Sequence, residues 1–501
     1  MFTSLEIENF KAFGTRTKIP LAPITLIFGE NSAGKSSILQ CLNLLKQTVE
    51  GRNTNAALCP SPRRAENKIV DLGSFQDILF NHDLKRSFKV KLAYNDHNSE
   101  STFMEFSFNR PSLDKDASLE YIFLFEGGEP IAKFEAGIPL AMRSAGTLER
   151  FRTVSCSWIT SDPDIWEDYF KYASKHRKTI LQAFQQDSGN TKKQNSSSIH
   201  ELRLFFEKDF DLESFIKFFT EYEKEQIIAL KNFLPVVEKA EFVDVGLFFN
   251  SIPELKKIKK HLLPDFTGRL FKASNALQHQ LKSLFPLAPS RCTAERWYAF
   301  NGTSPNDVGY WGEDMPALLY RNRDQIQQKT NEWLEKLEIG YQLNVRGLGH
   351  GTKEFFDLRL TDTRQKTKVD VGLSDVGFGI SQVLPFIVQS IAGQYQTISI
   401  EQPEVHIHPR LQADLGDMLS FCIKPPNENQ FIIETHSEHL VLRLQRLVRL
   451  GQLRADDVSI IYITRGREGS KAMRLRIDRE GEFIDDWPGG FFEERLREFE
   501  D

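Results

Sequence analysis

The chain is poor in cysteine, with five in 501 residues (Cys41, Cys59, Cys156, Cys292 and Cys422) and no C-x-x-C pair. That excludes a disulfide scaffold and a cysteine-built zinc site, and it points to a reducing compartment, so a cytoplasmic location is expected. No apolar run approaches the ~18 residues of a membrane span. The start, MFTSLEIENFKAFG, alternates like a strand and has no signal-peptide apolar core. Positive charge is not in excess: 64 Lys and Arg against 69 Asp and Glu give a net charge of −5. Coating of nucleic acid by bulk charge is excluded, while local basic patches stay open. There is no internal repeat. Phenylalanine, in contrast, is abundant at 40 residues, many of them between residues 205 and 249, where they read as a helical core. The length exceeds one ordinary core, so two or three lobes are expected.

Residues 24–37, ITLIFGENSAGKSS, join a buried apolar strand, a glycine-rich loop and a helix start. Gly29, Gly34, Lys35 and Ser36 fit G-x-x-x-x-G-K-[ST] without a gap. In this arrangement the backbone N–H groups from Gly29 through Asn31, Ser32, Ala33 and Gly34 to Ser37 face phosphate oxygens, and the helix dipole adds to the attraction. Lys35 reaches the terminal phosphates and the Ser36 hydroxyl holds Mg2+, so ATP and Mg2+ are the expected ligands.

Such a site needs an acidic residue at the end of a neighbouring buried strand. The segment TISIEQPEVHIHP supplies Glu401 there, as a second holder of Mg2+. The next position, where a glutamate would polarise the attacking water, is Gln402. Glutamine cannot accept a proton, so hydrolysis through it is slow, and Glu404 is the alternative base. His436, in IIETHSEHL after a further apolar strand, can contact the γ-phosphate and report its presence. His406 and His408 form H-I-H, but with no third ligand evident no zinc site is expected. Ser374, Gly377 and Gly379 precede an apolar helix in LSDVGFGISQVLPFI and can form a second phosphate clamp.

Short strands are predicted over 3–10 and 16–20, then β-like runs FKVKLAY, TFMEFSF, LEYIFLF and PIAKFEA between 88 and 135, as in an antiparallel lobe. Residues 151–285 turn to helical spacing, with a polar loop over Gln185–Ser198 and a basic cluster of Lys256, Lys257, Lys259 and Lys260. Beyond 330, strands at Thr397–Glu401, Gln430–Glu434, Val458–Ile463 and Met473–Ile477 alternate with helices at Val383–Ala392 and Glu438–Leu450, the pattern of a largely parallel sheet. The expected fold is α/β: an ABC-type P-loop nucleotide-binding fold with an antiparallel β lobe and a helical insertion. Its segments are 1–150, 151–285 (the insertion) and 286–501.

Phosphate loop, serine/glycine segment, acidic strand and histidine, in this order, resemble the ABC-class ATPases. The usual L-S-G-G-Q is missing, and the chain is similar instead to the stand-alone SMC, RecF and OLD-like branch. The segments that carry the likeness are LEIENFKAFG, PITLIFGENSAGKSSIL, VDLGSFQDILF, APSRCTAERWYAFNGTSPNDVGYWGE, LSDVGFGISQVLP, EQPEVHIHP and WPGGFFEERLREF. The resemblance implies a homo-oligomer of head-to-tail dimers, with the phosphate loop of one copy closing on Ser374, Gly377 and Gly379 of the other across ATP. It gives Gln76 a Mg2+-sensing role. OLD nucleases add a C-terminal Toprim domain, for which the 38 residues after Ile463 are too few. An effector nuclease, HNH or Toprim, is therefore expected from another chain, as in the similar ATPase subunits of the Septu and PARIS antiphage systems. Two other functions stay open. One is a RecF- or SMC-like repair ATPase touching DNA through Lys256–Lys260 and the stripe Arg443, Arg446 and Arg449. The other is a nucleotide-bound scaffold without meaningful turnover.

Overall fold

The computed structural model describes residues 1–61, 69–95, 101–110, 116–137, 140–144, 147–159, 163–186, 197–224, 227–235, 266–300, 302, 305–348 and 355–488. The chain forms two compact units. One comprises Met1–Glu50, Cys59–Asn95 and His279–Asp501, and the other Gly51–Leu58 and Asp96–Gln278.

The first unit is built on a six-stranded sheet in the order Leu284–Leu287, Thr397–Glu401, Gln430–Glu434, Ile24–Gly29, Val458–Gly466, Gly469–Leu475. Neighbours pair in parallel except for the last two strands, which form an antiparallel hairpin. Parallel strands need cover on both faces, and the sequence supplies it. Every residue of Ile24–Gly29 is buried, and Ile24, Leu26 and Phe28 join one core with Ile398, Ile400, Phe431, Ile433 and Ile460. The helices Phe378–Ala392, Pro409–Cys422 and Glu438–Arg449 turn apolar faces into that core. Phe378–Ala392 starts five residues before the expected Val383 and carries Pro385 inside it. Gly377 caps it in an extended conformation. Phe2–Glu8 pairs antiparallel with both Thr17–Pro20 and Phe88–Asn95. A smaller antiparallel sheet joins Tyr341–Leu348, Phe355–Asp362, Tyr298–Ala299 and Asp370–Gly372.

In the second unit, Ser101–Asn109, Ser118–Glu126, Glu129–Ala136, Thr147–Ile159 and Ile227–Lys231 form successive antiparallel pairs. The segment 151–285 holds the helices Pro163–Gln186, Ser197–Glu207, Leu212–Lys224 and Phe266–Lys282, as the spacing predicts. It also holds strand Ile227–Lys231, which pairs with Thr147–Ile159 and extends the antiparallel sheet. Among the described residues of the phenylalanine-rich run, Phe206, Phe215 and Phe219 are buried and form a core, their rings packed with those of Phe205 and Phe210. Lys256, Lys257, Lys259 and Lys260 and most of the Gln185–Ser198 loop lie outside the described residues. No helix among the described residues is long and apolar enough to cross a membrane.

Candidate functional site

The glycine-rich loop sits at the end of the fully buried strand Ile24–Gly29 and feeds helix Lys35–Glu50. Its turn needs residues that accept positive φ: Gly29 at 141°, Ser32 at 61° and Gly34 at 101°. Close approach adds a second demand on the glycines. A Cβ on Gly29 would lie 2.3 Å from the Ile463 carbonyl oxygen, and one on Gly34 would lie 2.4 Å from the Ala12 Cβ. Asn31 and Ser32 are exposed at the loop tip, Ala33 and Ser37 are buried, and Ser36 is half-buried. The Lys35 ammonium is buried and donates to Gly29 O at 3.0 Å and Glu30 O at 2.9 Å. Burial lowers its pKa, while Glu434 and Glu404 pull it back up.

Strand order decides which carboxylate meets this loop. Gln430–Glu434 lies directly beside the loop strand, with Glu434 opposite Ile27, and Thr397–Glu401 is one strand further out, with Glu401 opposite Glu434. The Ser36 side chain therefore lies close enough to Glu434 to lower its pKa against the effect of burial. Glu434 Oε2 is buried and has no hydrogen-bond partner. An orphaned carboxylate oxygen beside a serine hydroxyl and an ammonium suits a hard cation with oxygen ligands, so the residues present fit Mg2+. Glu434 is not among the residues read from the sequence. Its position at a strand end before Thr435–His436 was visible there, but its adjacency to the loop was not.

Glu401, Glu404 and Glu434 crowd together. Burial and the nearby Glu434 raise the Glu401 pKa to about 7, against a downward pull from Arg291. Burial also raises Glu404 and Glu434. Both Glu404 oxygens are engaged: Oε2 accepts from Thr435 Oγ1 at 2.8 Å and Oε1 from His436 N at 2.7 Å. Glu404 thus clasps the segment that carries the histidine. Gln402 takes a positive φ of 47° and its N–H donates to Glu434 O at 2.7 Å, so its backbone is pinned in a conformation that costs a non-glycine residue energy. His436 is half-buried, and its pKa is lowered first by burial and then by Lys35. Ser437 caps helix Glu438–Arg449 and donates to Gln412 Oε1 at 2.8 Å.

Arg291 is the second residue that sequence reasoning missed. Its side chain is 3% exposed, NH2 lies 3.5 Å from Glu401 O, and Nε has no partner. Burial lowers its pKa to about 10, opposed by Glu404 and Glu401.

The other expected residues make different contacts. Ser374 and Gly377 are exposed ahead of helix Phe378–Ala392, and Gly379 is half-buried. A Cβ on Gly379 would lie 2.3 Å from His406 O, whereas nothing lies within 4 Å of one on Gly377. Gln76 sits on a turn whose Ile78 carbonyl accepts from Lys11 N. Among the described residues, no hydrogen bond joins its side chain to Ser36, Glu401 or Glu434. His406 packs edge-on against Phe378, and His408 Nδ1 accepts from Arg410 N as a helix cap. Two arginines of the stripe are engaged within the chain: Arg443 pairs with Asp414 at 2.8 Å and with Asp417, and Arg449 with Glu482.

No curated protein matches the chain in sequence. Among solved structures it is similar to the SMC head domain from Thermotoga maritima, at 9% identity, TM-score 0.38 and coverage of 95% of this chain and 99% of that one. It is also similar to the Smc head domain of Pyrococcus furiosus bound to the C-terminal domain of ScpA, at 13% identity, TM-score 0.39 and coverage of 100% and 98%. Residues 453–501 match a family described as a protein of unknown function, DUF3696. Residues 1–441 match the model of the AAA ATPase domain.

Proposed function

The chain belongs to the AAA ATPase domain family and is an ATPase, and from that premise we propose that it is a slow, nucleotide-retaining regulatory subunit that controls a nuclease supplied by another chain. The observation that carries this reading is the base position. Gln402 cannot take a proton, and Glu404, the alternative, already holds Thr435 and His436 with both oxygens. A site so built binds nucleotide firmly and turns it over slowly, which suits a complex that must persist until a signal arrives.

The glycine-rich loop, with Gly29 and Asn31 to Ser37, cradles the phosphates, and Lys35 exchanges its carbonyl partners for phosphate oxygens. Ser36 and Glu434 would hold Mg2+, with Glu401 on the next strand as a further carboxylate for it. The ion supplies neutralisation of phosphate charge. Lys35, Ser36 and Glu434 orient the triphosphate, and His436 reads the end of it. Ser374 and Gly377, exposed on the surface, and Gly379 behind them close over the nucleotide of a second copy, head to tail. The effector is a nuclease of HNH or Toprim type, and the complex acts in antiphage defence in the cytoplasm. Direct action on DNA has less support, because Arg443 and Arg449 are engaged in ion pairs within the chain.

Co-expression with the native gene neighbours, purification and mass measurement with and without ATP test the proposal. The expected result is an ATP-stabilised complex containing a nuclease, lost in Lys35→Ala together with nucleotide binding. A chain that purifies alone and protects cells without a partner refutes the regulatory role. Retained tight ATP binding by Lys35→Ala refutes the site.

A further inference from the structure

Arg291 has an arrangement that no phosphate-loop residue explains. A buried guanidinium must satisfy five N–H groups or be held for a purpose. Here NH1 reaches Pro289 O at 3.3 Å, NH2 reaches Glu401 O at 3.5 Å, and Nε reaches nothing. These bonds are long, so the guanidinium is held by its surroundings rather than by its own hydrogen bonds. Its backbone, in turn, is held by Gln382. The Arg291 N–H donates to Gln382 Oε1 at 2.8 Å, and Gln382 Nε2 donates back to Arg291 O at 3.2 Å. Both bonds are buried, and they clamp the Arg291 backbone to one residue of helix Phe378–Ala392. The N-terminal end of that helix carries Gly377 and Gly379, and the charges of Glu404 and Glu401 act on the guanidinium.

We propose that Arg291, clamped by Gln382, is a positioning residue that ties the end of the acidic strand at Glu401, whose backbone carbonyl its guanidinium reaches, to the helix bearing the small-residue segment. A helix moves as a rigid rod, so a shift at Gly377 reaches Gln382 undiminished, and the amide clamp passes it to the backbone of residue 291. The guanidinium, which reaches the Glu401 carbonyl and whose charge acts on both carboxylates, then moves relative to them. The helix-to-carboxylate link is internal to one chain. Its use, reporting closure of a second copy over nucleotide, rests on the head-to-tail reading above.

The test combines turnover with a measurement on the ligand-free protein. Arg291→Met is expected to lower kcat by about 10- to 100-fold, the effect of a displaced catalytic group, with KM for ATP unchanged. Arg291→Lys keeps the charge without the planar fork and recovers part of the loss. Unchanged kcat, or a loss carried by KM, overturns the positioning role. Hydrogen exchange without nucleotide reads the link directly: Gln382→Met should speed exchange over 289–293 and 401–405, as Arg291→Met does. The double variant should lose no more kcat than Arg291→Met alone, because the two residues act in series. Unaltered exchange over 401–405 in Gln382→Met, or losses that multiply in the double variant, overturns the link. Should Arg291→Met fail to fold, Arg291→Lys is read by the same two measurements. The exchange experiment needs no second copy and no nucleotide. Failure of the head-to-tail reading therefore appears separately, as absence of ATP-driven association in the unaltered protein.

Discussion

Three carboxylates with raised pKa values, Glu434 buried and Glu401 and Glu404 half-buried, give the ligand-free site a defined pH response. Glu401 titrates near 7 in the folded chain, against an ordinary value of 4.5. The native state therefore holds a proton that the unfolded state has released between those values, and stability falls as pH rises through that window. At about 1.4 kcal/mol per pKa unit, Glu401 accounts for on the order of 3–4 kcal/mol. Glu404 and Glu434 act in the same direction. His436, with a lowered pKa, acts in the opposite one, since stability through it is lost as pH falls. Comparison with Glu401→Gln isolates the first contribution. Unfolding midpoints from pH 5 to 8 should decline more steeply in the unaltered protein than in Glu401→Gln, and Mg2+ with ATP should flatten the slope, because the cation favours the ionised carboxylates. Equal slopes would show that Glu401 is solvated. The sequence made Lys35, Ser36 and Glu401 legible because the loop and the acidic strand are local patterns. Glu434 and Arg291 were not legible. The first matters because its strand lies between two others, and the second because an amide 91 residues away holds it.

At the scale of elements, the meeting of helix Phe378–Ala392 with the loop after Glu401 separates two glycines that look alike in sequence. Gly379 lies against the His406 carbonyl, where a methyl group would sit 2.3 Å from oxygen. Gly379→Ala must push helix and loop apart and should cost about 1–3 kcal/mol, as overpacking does. Gly377 has open space and a φ of −57°, which alanine adopts freely. Gly377→Ala should keep the unfolding midpoint and weaken only ATP-driven association. Thermal unfolding and sedimentation distinguish the two, and a destabilised Gly377→Ala would mean that this surface is packed. Strands Thr397–Glu401 and Gln430–Glu434 match their sequence-based bounds because an apolar run between polar residues leaves little freedom at either end. The start of helix Phe378–Ala392 was missed by five residues because glycine at 377 and 379 reads as a loop until the neighbouring carbonyl that requires Gly379 is known.

For the whole molecule, the nucleotide fold is assembled from distant parts of the chain. Strand Ile24–Gly29 is flanked by Gln430–Glu434 and Val458–Gly466, so the sheet closes only after some 400 residues of chain have been made. Contacts of such sequence separation cost loop entropy before they return any stabilisation, so the glycine-rich loop gains its second wall, Glu434, only in the finished fold. Nucleotide, which bridges the loop and that wall, should therefore stabilise the fold strongly. Stabilisation by a ligand follows its concentration relative to Kd and reaches about 2.7 kcal/mol at a hundredfold excess. If a second copy covers the same nucleotide, the stabilisation also depends on protein concentration, which a monomeric site cannot show. The unfolding midpoint with ATP and Mg2+ should rise with protein concentration, mass should shift to a dimer or larger, and both effects should vanish in Lys35→Ala. A midpoint that responds to ATP but not to protein concentration would place the complete nucleotide site within one chain and remove the role of Ser374, Gly377 and Gly379 across a subunit boundary.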